Sequence, residues 1–212
     1  MSASAKEDIE DLLRAGMTSL GLEASGDRVD TLARYISLLA RWNEAFNLIG
    51  PCGPEEMVTR HVLDSLAALP YLAGTAVLDL GTGAGLPGIP LAVLDPHRRY
   101  TLLDSKGKKT RFVTQAIGEL GLDNVAVVQD RVEAFVPEQL FDTVITRAFS
   151  SLEHFVQSCQ HLTAAGGRLV AMKGLYPDEE LKPLLQTVTS IGVSSVDVPG
   201  LDAERHVVII EP

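Results

Sequence analysis

The sequence predicts an α/β fold, a seven-stranded and mostly parallel sheet with helices on both faces, preceded by an N-terminal helical extension. Three observations predict it. From residue 76 onward, short apolar runs alternate with segments of helical period, the pattern of strands joined by crossover helices. The first of those runs ends in a glycine-rich turn, within TAVLDLGTGAGLPGIP at 75–90, that leads into a fresh apolar stretch. Residues before 73 carry only helical periodicity. We therefore expect a helical region over 1–72 and a ligand-binding α/β domain over 73–212.

In chain order, 7–20 and 27–47 read as helices. In the second, Val29, Leu32, Ile36, Leu39 and Phe46 fall at helical spacing, with Ala33, Ala40 and Trp42 beside the stripe. Asp27 is placed to cap its start, and the run PCGP at 51–54 separates it from the next helix. That third helix is expected over 55–69 with Met57, Val58, Val62, Leu63 and Leu66 inward, broken at 70–74. Strands are expected at 76–80, 99–104, 125–129, 141–146, 168–173, 193–198 and 206–211. Helices are expected between them at 87–94, 107–120, 151–162 and 178–190. The last two strands, joined around Pro199 and Gly200, suit an antiparallel pair at one edge.

With 212 residues, 46% of them hydrophobic, the chain can bury a sizeable core. No apolar run reaches membrane-spanning length, and the acidic start MSASAKEDIEDLL is unlike a secretory signal. Cys52 and Cys159 lack metal or redox spacing and read as unreactive, which suits a reducing cytoplasm. His97, His154, His161 and His206 show no ligand spacing, so no metal site is expected. A net charge of −10 disfavours nonspecific nucleic-acid binding by the whole surface, though not a local basic patch.

The glycine loop is built to hold a small molecule. Gly81, Gly83, Gly85 and Gly88 let the chain turn tightly after a strand and let a ligand lie against backbone. Pro87 suits the first turn of the helix after the loop. The run from Gly83 to Gly88 fits the dinucleotide pattern G-x-G-x-x-G, a weak signal when alone. Asp79 argues for another ligand, because a carboxylate near a pyrophosphate would repel it. D-x-G-x-G-x-G after a strand resembles the first motif of Rossmann-like methyltransferases, which bind S-adenosylmethionine (SAM). The acid there orients the loop or answers the methionine ammonium. Asp104 ends the next strand, where an acid can accept from both ribose hydroxyls.

Eight segments, WNEAFNL, RHVLDS, LDLGTGAGLPGIPLA, LLDSKGKKTRF, RVEAF, TRAFSSL, MKG and ERHVVII, occur in one order over almost the whole chain. Together they resemble the RsmG (glucose-inhibited division protein B) family, SAM-dependent enzymes that methylate N7 of a guanosine in small-subunit ribosomal RNA. The resemblance implies SAM contacts from Gly81 and Leu86, from Val132 and Glu133 around the adenine, and from Arg147 near the transferred methyl. Ala84 departs from the family, where proline is common.

Guanine N7 has an in-plane lone pair and loses no proton on methylation, so its enzyme needs placement rather than a nucleophile or strong base. No Pro-Cys pair for attack on a pyrimidine occurs, and Arg-Ala-Phe-Ser stands where amino-methylating enzymes carry an Asn/Asp-Pro-Pro-aromatic tetrad. Phe149 is a candidate to stack on the target base. Asp64 and Glu133 are candidates to offset the charge that N7-methylation creates. Lys173, at a strand end facing the cleft, is expected to meet phosphate or base rather than form a structural ion pair. Lys106, Lys108, Lys109 and Arg111 form a basic cluster beside Asp104, equally readable as RNA contact or solvated helix face. Arg60 and His61 are further RNA candidates, although His61 also reads as a hydrogen-bonded histidine between the helical part and the sheet. Arg34 and Arg41 read as surface charges, and Trp42 and Phe46 as core. The expected partner is small-subunit ribosomal RNA or the 30S particle, with no membrane and a monomeric enzyme. A SAM methyltransferase acting on a small molecule or protein is the alternative, ahead of a nicotinamide-dependent oxidoreductase or a SAM-binding sensor.

Overall fold

A computed structural model describes residues 3–147 and 149–212. Ala148, within the TRAFSSL segment, lies outside the described residues. Helix α1 (Ala3–Ser19) buries Ile9, Leu13 and Met17, one residue per turn, against α2 (Gly26–Phe46). Gly16 is required by close approach, since a Cβ there would stand 2.2 Å from Leu63 Cδ1. In α2 the stripe widens to Val29, Leu32, Ala33, Tyr35, Ile36, Leu38 and Leu39. Ser25, not Asp27, occupies its N-cap; Asp27 sits in the first turn, where an acid favours the positive helix end. Asn47 closes the helix at φ 46°, a left-handed conformation Asn tolerates. Trp42 is half-buried, with its ring on Phe112 (5.5 Å between centroids) and on Phe46 (4.9 Å). Phe46 itself is exposed rather than core.

The third helix is not regular. α3 (Pro54–Met57) widens into a π-helical stretch, Val58–Leu63, and narrows again as α4 (Asp64–Leu66). Such widened turns shift side chains around the axis and cluster at functional sites. The stretch carries Arg60 and His61.

The sheet contains β1 (Ala76–Leu80), β2 (Arg99–Leu103), β3 (Val125–Val128), β4 (Phe141–Thr146), β5 (Thr163–Lys173), β6 (Ser190–Ser195) and β7 (His206–Glu211). Its order is β3-β2-β1-β4-β5-β7-β6, and β7 alone runs against the other strands. The expected antiparallel pair at one edge is thus present. Strand order reverses between β1 and β4, which run parallel side by side and place the residues leaving both on one rim.

Period-two alternation divides the strands between two cores. Val77, Leu102, Ile145 and Val170 face one side, which α1, α2, α5 (Gly88–Leu94) and α6 (Gly107–Leu120) cover. Leu78, Leu80, Leu103 and Leu169 face the other, covered by Leu152, Phe155, Val156 and Cys159 of α7 (Leu152–Cys159). Each such fully buried Leu, Val or Phe contributes about 1.5–3 kcal/mol.

Three expected elements differ. The helix at 178–190 is two short pieces, α8 (Asp178–Leu181) and a 3₁₀ turn, Leu184–Gln186. Pro183 lies between them, where its missing N–H and ring oppose helical continuation. β6 accordingly starts at Ser190, and β5 starts at Thr163, earlier than apolar content alone indicates. Residues 129–140 form no helix, so the face of β2 and β3 that they cross is covered less than the opposite one.

Candidate active site

The loop after β1 is held by two carboxylates. Gly81, Gly83 and Gly85 have φ of 71°, 60° and 85°, values that side-chain-bearing residues avoid. Asp79, wholly buried, points toward α5 and accepts at Oδ2 from Thr82 Oγ1 (2.6 Å) and Gly88 N–H (2.8 Å). Asp104, leaving β2, accepts from the Gly83 N–H at Oδ2 (3.0 Å) and from the Lys106 N–H at Oδ1 (2.9 Å). The N–H groups of Gly81 and Thr82 donate to Leu103 O (2.9 and 3.1 Å), tying the loop to the neighbouring strand. From the helical region, the buried Tyr35 hydroxyl donates to Ala84 O (2.7 Å). Burial pushes the Asp79 carboxyl up to about 6, against the pull of the Thr82 and Gly88 hydrogen bonds.

These residues suit SAM. Asp79 Oδ1 is buried with no partner among the described residues, an acceptor that an ammonium can satisfy. A Cβ at Gly81 would stand in open space, so nothing else fills the room beside that backbone. Asp104 retains acceptor capacity for ribose hydroxyls at the end of β2. Leu86 has its side chain in the core and its N–H on Thr82 O (2.9 Å), which leaves its carbonyl for a ligand. Val132 is half-buried against the second core and Glu133 is exposed, in the turn after β3.

Beside the loop opens a cleft of about 330 Å³ lined by Arg60, His61, Asp64, Arg147, Met172, Lys173, Gly174 and Arg205. Asp64 is buried and accepts from Arg205 Nε (2.8 Å), with Arg147 Nη1 at 3.6 Å. Burial holds its carboxyl above the ordinary value despite the two guanidiniums. Arg147 Nη1 also meets His61 Nδ1 at 3.3 Å. A guanidinium only donates, so Nδ1 accepts and the imidazole proton sits on Nε2, facing Cys52 Sγ at 3.7 Å. Burial, followed by Arg147, lowers the His61 pKa to about 4 and keeps the ring neutral at physiological pH. The Cys52 thiol is pushed up by burial, and that of Cys159 up to about 12.

Two expectations are corrected here. Lys173, expected to meet phosphate or base, forms a structural ion pair instead: Nζ lies 3.0 and 2.8 Å from the Glu180 oxygens, and Glu180 also accepts the Leu152 N–H at the start of α7. Asp64 is not an open carboxylate, because two arginines already share it. The basic cluster separates into parts. Lys109 lies 4.0 Å from Asp104, and Lys108 Nζ donates to Phe46 O (2.5 Å) at the end of α2. Lys106 and Arg111 stay exposed, and Arg60 pairs with Glu56 at 2.8 Å on the cleft rim. Phe149 is half-buried, its ring 5.1 Å from His154 and 5.3 Å from Phe155. Arg34 donates to Glu119 O and Arg41 pairs loosely with the Glu119 carboxylate.

Sequence reasoning missed Tyr35, Thr82 and Arg205. Thr82, three residues after Asp79, is readable as a local partner, and Arg205 stands in the ERHVVII segment. No signal in the sequence links Tyr35 to the loop 49 positions away.

Among the described residues no helix is long and apolar enough to cross a membrane, and no group of three or more His, Cys, Asp or Glu could hold a metal ion. The fold resembles that of a SAM-dependent methyltransferase from Aquifex aeolicus (TM-score 0.58, 17% identity, 74% of this chain and 93% of that one). It also resembles the glycopeptide N-methyltransferase MtfA complexed with SAM (TM-score 0.55, 14% identity, 72% and 96%). The chain is 51% identical to the ribosomal RNA small subunit methyltransferase G of Chromobacterium violaceum, over 92% of this chain and 94% of that protein. It is 47% identical to the protein of that name from Pseudomonas aeruginosa, over 99% and 98%. The family model for rRNA small subunit methyltransferase G (GidB) matches residues 28–208. With its methyltransferase fold and its carboxylate-held glycine loop, the chain belongs to the rRNA small subunit methyltransferase G family.

Proposed function

We propose that the protein transfers the methyl group of SAM to N7 of a guanosine in small-subunit ribosomal RNA. The observation that carries this reading is a cleft, beside a SAM-type loop, that positions cations and contains no free base. SAM, when bound, supplies an electrophilic methyl on a positively charged sulfur that becomes neutral as the methyl leaves. Asp79 Oδ1 answers its ammonium and Asp104 its ribose hydroxyls, while Gly81, Gly83 and Gly85 let the backbone approach. Leu86, Val132 and Glu133 would hold the remainder of the cofactor, and Arg147, which lines the cleft, would meet the side of the transferred methyl.

An N7 acceptor matches these side chains. Its lone pair attacks directly, the ring takes the positive charge, and no proton must be removed. The groups that would serve as a base are committed elsewhere: Asp64 to two arginines and His61 Nδ1 to Arg147. The site's contribution is therefore alignment of donor and acceptor, worth several kcal/mol of the barrier, about 7–11 at best. The half-buried ring of Phe149, in the loop after β4, is available to pack against an unstacked purine. The exposed cations Lys106 and Arg111 and the rim residue Arg60 take RNA phosphates around the site. The substrate is ribosomal RNA, free or within the 30S particle, and the enzyme works as a monomer in the cytoplasm.

The test is transfer of label from SAM to RNA and 30S particles from cells lacking this activity. Label entering small-subunit RNA alone is the expected result. SAM binding without label on any ribosomal RNA would redirect the search to a small-molecule or protein substrate.

A further inference from the structure

The cleft contains a cation for which methyl transfer alone provides no task. Arg205 reaches it from the segment before β7 and meets Asp64 across 141 positions of sequence. The lining has four cations, Arg60, Arg147, Lys173 and Arg205, and one carboxylate, Asp64. Glu56 balances Arg60 and Glu180 balances Lys173. Arg147 and Arg205 are left to share Asp64, so the lining of the cleft keeps one positive charge in excess, with the buried Asp79 the further carboxylate that acts on Arg147.

The guanidinium edges are also incompletely used. Arg205 donates from Nε to Asp64 and from Nη1 to Glu204 O (2.8 Å). Its Nη2, like Nε and Nη2 of Arg147, has no hydrogen-bond partner among the described residues. About a quarter of each side chain is exposed (24% for Arg147 and 26% for Arg205), so ligands can reach both. Asp64 anchors Arg205 through the 2.8 Å bond at Nε and holds Arg147 at 3.6 Å, and His61 meets Arg147 as well, so both are oriented donors rather than mobile surface charges. A preorganised guanidinium pair with one net positive charge matches a tetrahedral monoanion that accepts several hydrogen bonds. In an RNA substrate that group is the phosphodiester.

We propose that Arg205, held by Asp64, binds a backbone phosphate next to the target guanosine and so fixes the register of the RNA in the cleft. This role rests on the protein being an RNA methyltransferase, as proposed above. Phosphate contacts position a nucleic acid and do not read its sequence, so Arg205 governs RNA affinity and its salt dependence rather than affinity for SAM.

The experiment measures binding of small-subunit ribosomal RNA from cells lacking the activity, between 50 and 300 mM KCl, with SAM affinity in parallel. Arg205→Gln is compared with wild type. A second variant, Arg205→Met, keeps the stem of the side chain and the Asp64–Arg147 pair, and keeps the test valid if the first variant folds poorly. Both variants are expected to lower the slope of log K against log salt by about 0.7–0.9, the loss of one phosphate contact. RNA affinity at the lowest salt should fall roughly tenfold for Arg205→Gln, with its SAM affinity within about twofold of wild type. An unchanged slope in folded variants overturns the assignment of Arg205 alone. A wild-type protein that neither binds nor methylates the RNA overturns the functional reading, and the assignment with it.

Discussion

Asp79 is a carboxylate with no exposure, and its burial has a consequence that can be measured without any substrate. Its pKa stands at about 6 against an ordinary value of 3.8. A difference of about two pH units, at about 1.4 kcal/mol per unit, means that ionising Asp79 costs the fold about 3 kcal/mol at neutral pH. The folded state holds this proton more tightly than the unfolded chain. Below pH about 4 both states are protonated and the group contributes no pH dependence; between about 4 and 6 stability falls as pH rises. Asp79→Asn removes the titration, keeps an acceptor for Thr82 and Gly88, and adds only a pH-independent offset from its buried amide. Groups remote from Asp79 contribute equally to the two proteins and cancel in their difference. Urea unfolding from pH 4 to 7.5 should therefore show the variant gaining roughly 2–3 kcal/mol on wild type as pH rises. Parallel curves for the two proteins would refute the claim that Asp79 is held by its loop as a costly buried charge.

The remaining predictions address the ligands. SAM affinity of the wild type, by calorimetry, should rise as pH passes up through about 6, because only ionised Asp79 answers the ammonium; equal affinity at pH 5 and 7.5 excludes that role. Asp104→Ala should weaken SAM binding by roughly 1–3 kcal/mol, since it removes the proposed ribose acceptor and leaves the Gly83 N–H unpaired; unchanged affinity removes Asp104 from the site. Tyr35→Phe should cost about 1 kcal/mol of stability and loosen the loop through Ala84 O, seen as faster amide exchange at 82–86. Lys106→Glu/Arg111→Glu should spare SAM affinity and slow RNA methylation, with equal rates marking these two as solvated helix face. Lys109→Glu should damage SAM binding as well, because a carboxylate would then stand beside Asp104.

Much of this fold is legible in residues at short range. The strand β1, its glycines and the acid ending β2 are local patterns, and they appear where spacing indicates. The features that sequence alone does not reveal are set by tertiary context. The π-helical stretch around His61 has ordinary helical composition, and nothing in its sequence announces the extra residue per turn. Lys173 ends a strand at the cleft, as expected, but Glu180, seven residues on in α8, folds back to meet its ammonium. Asp64 looks free in the sequence because its partners lie just after β4 and before β7, and only the completed sheet brings Arg147 and Arg205 to one carboxylate. The acidic net charge likewise hides a cleft whose lining is dominated by cations.

The reaction itself can be tested by incubating the purified protein with SAM and 30S particles lacking the modification, then digesting the small-subunit RNA and identifying the new nucleoside by mass spectrometry. N7-methylguanosine at a single position is the predicted product. A methyl group on an exocyclic amine, a ribose or a pyrimidine carbon would contradict the proposed chemistry, because each of those acceptors must lose a proton and this cleft offers no base to take it.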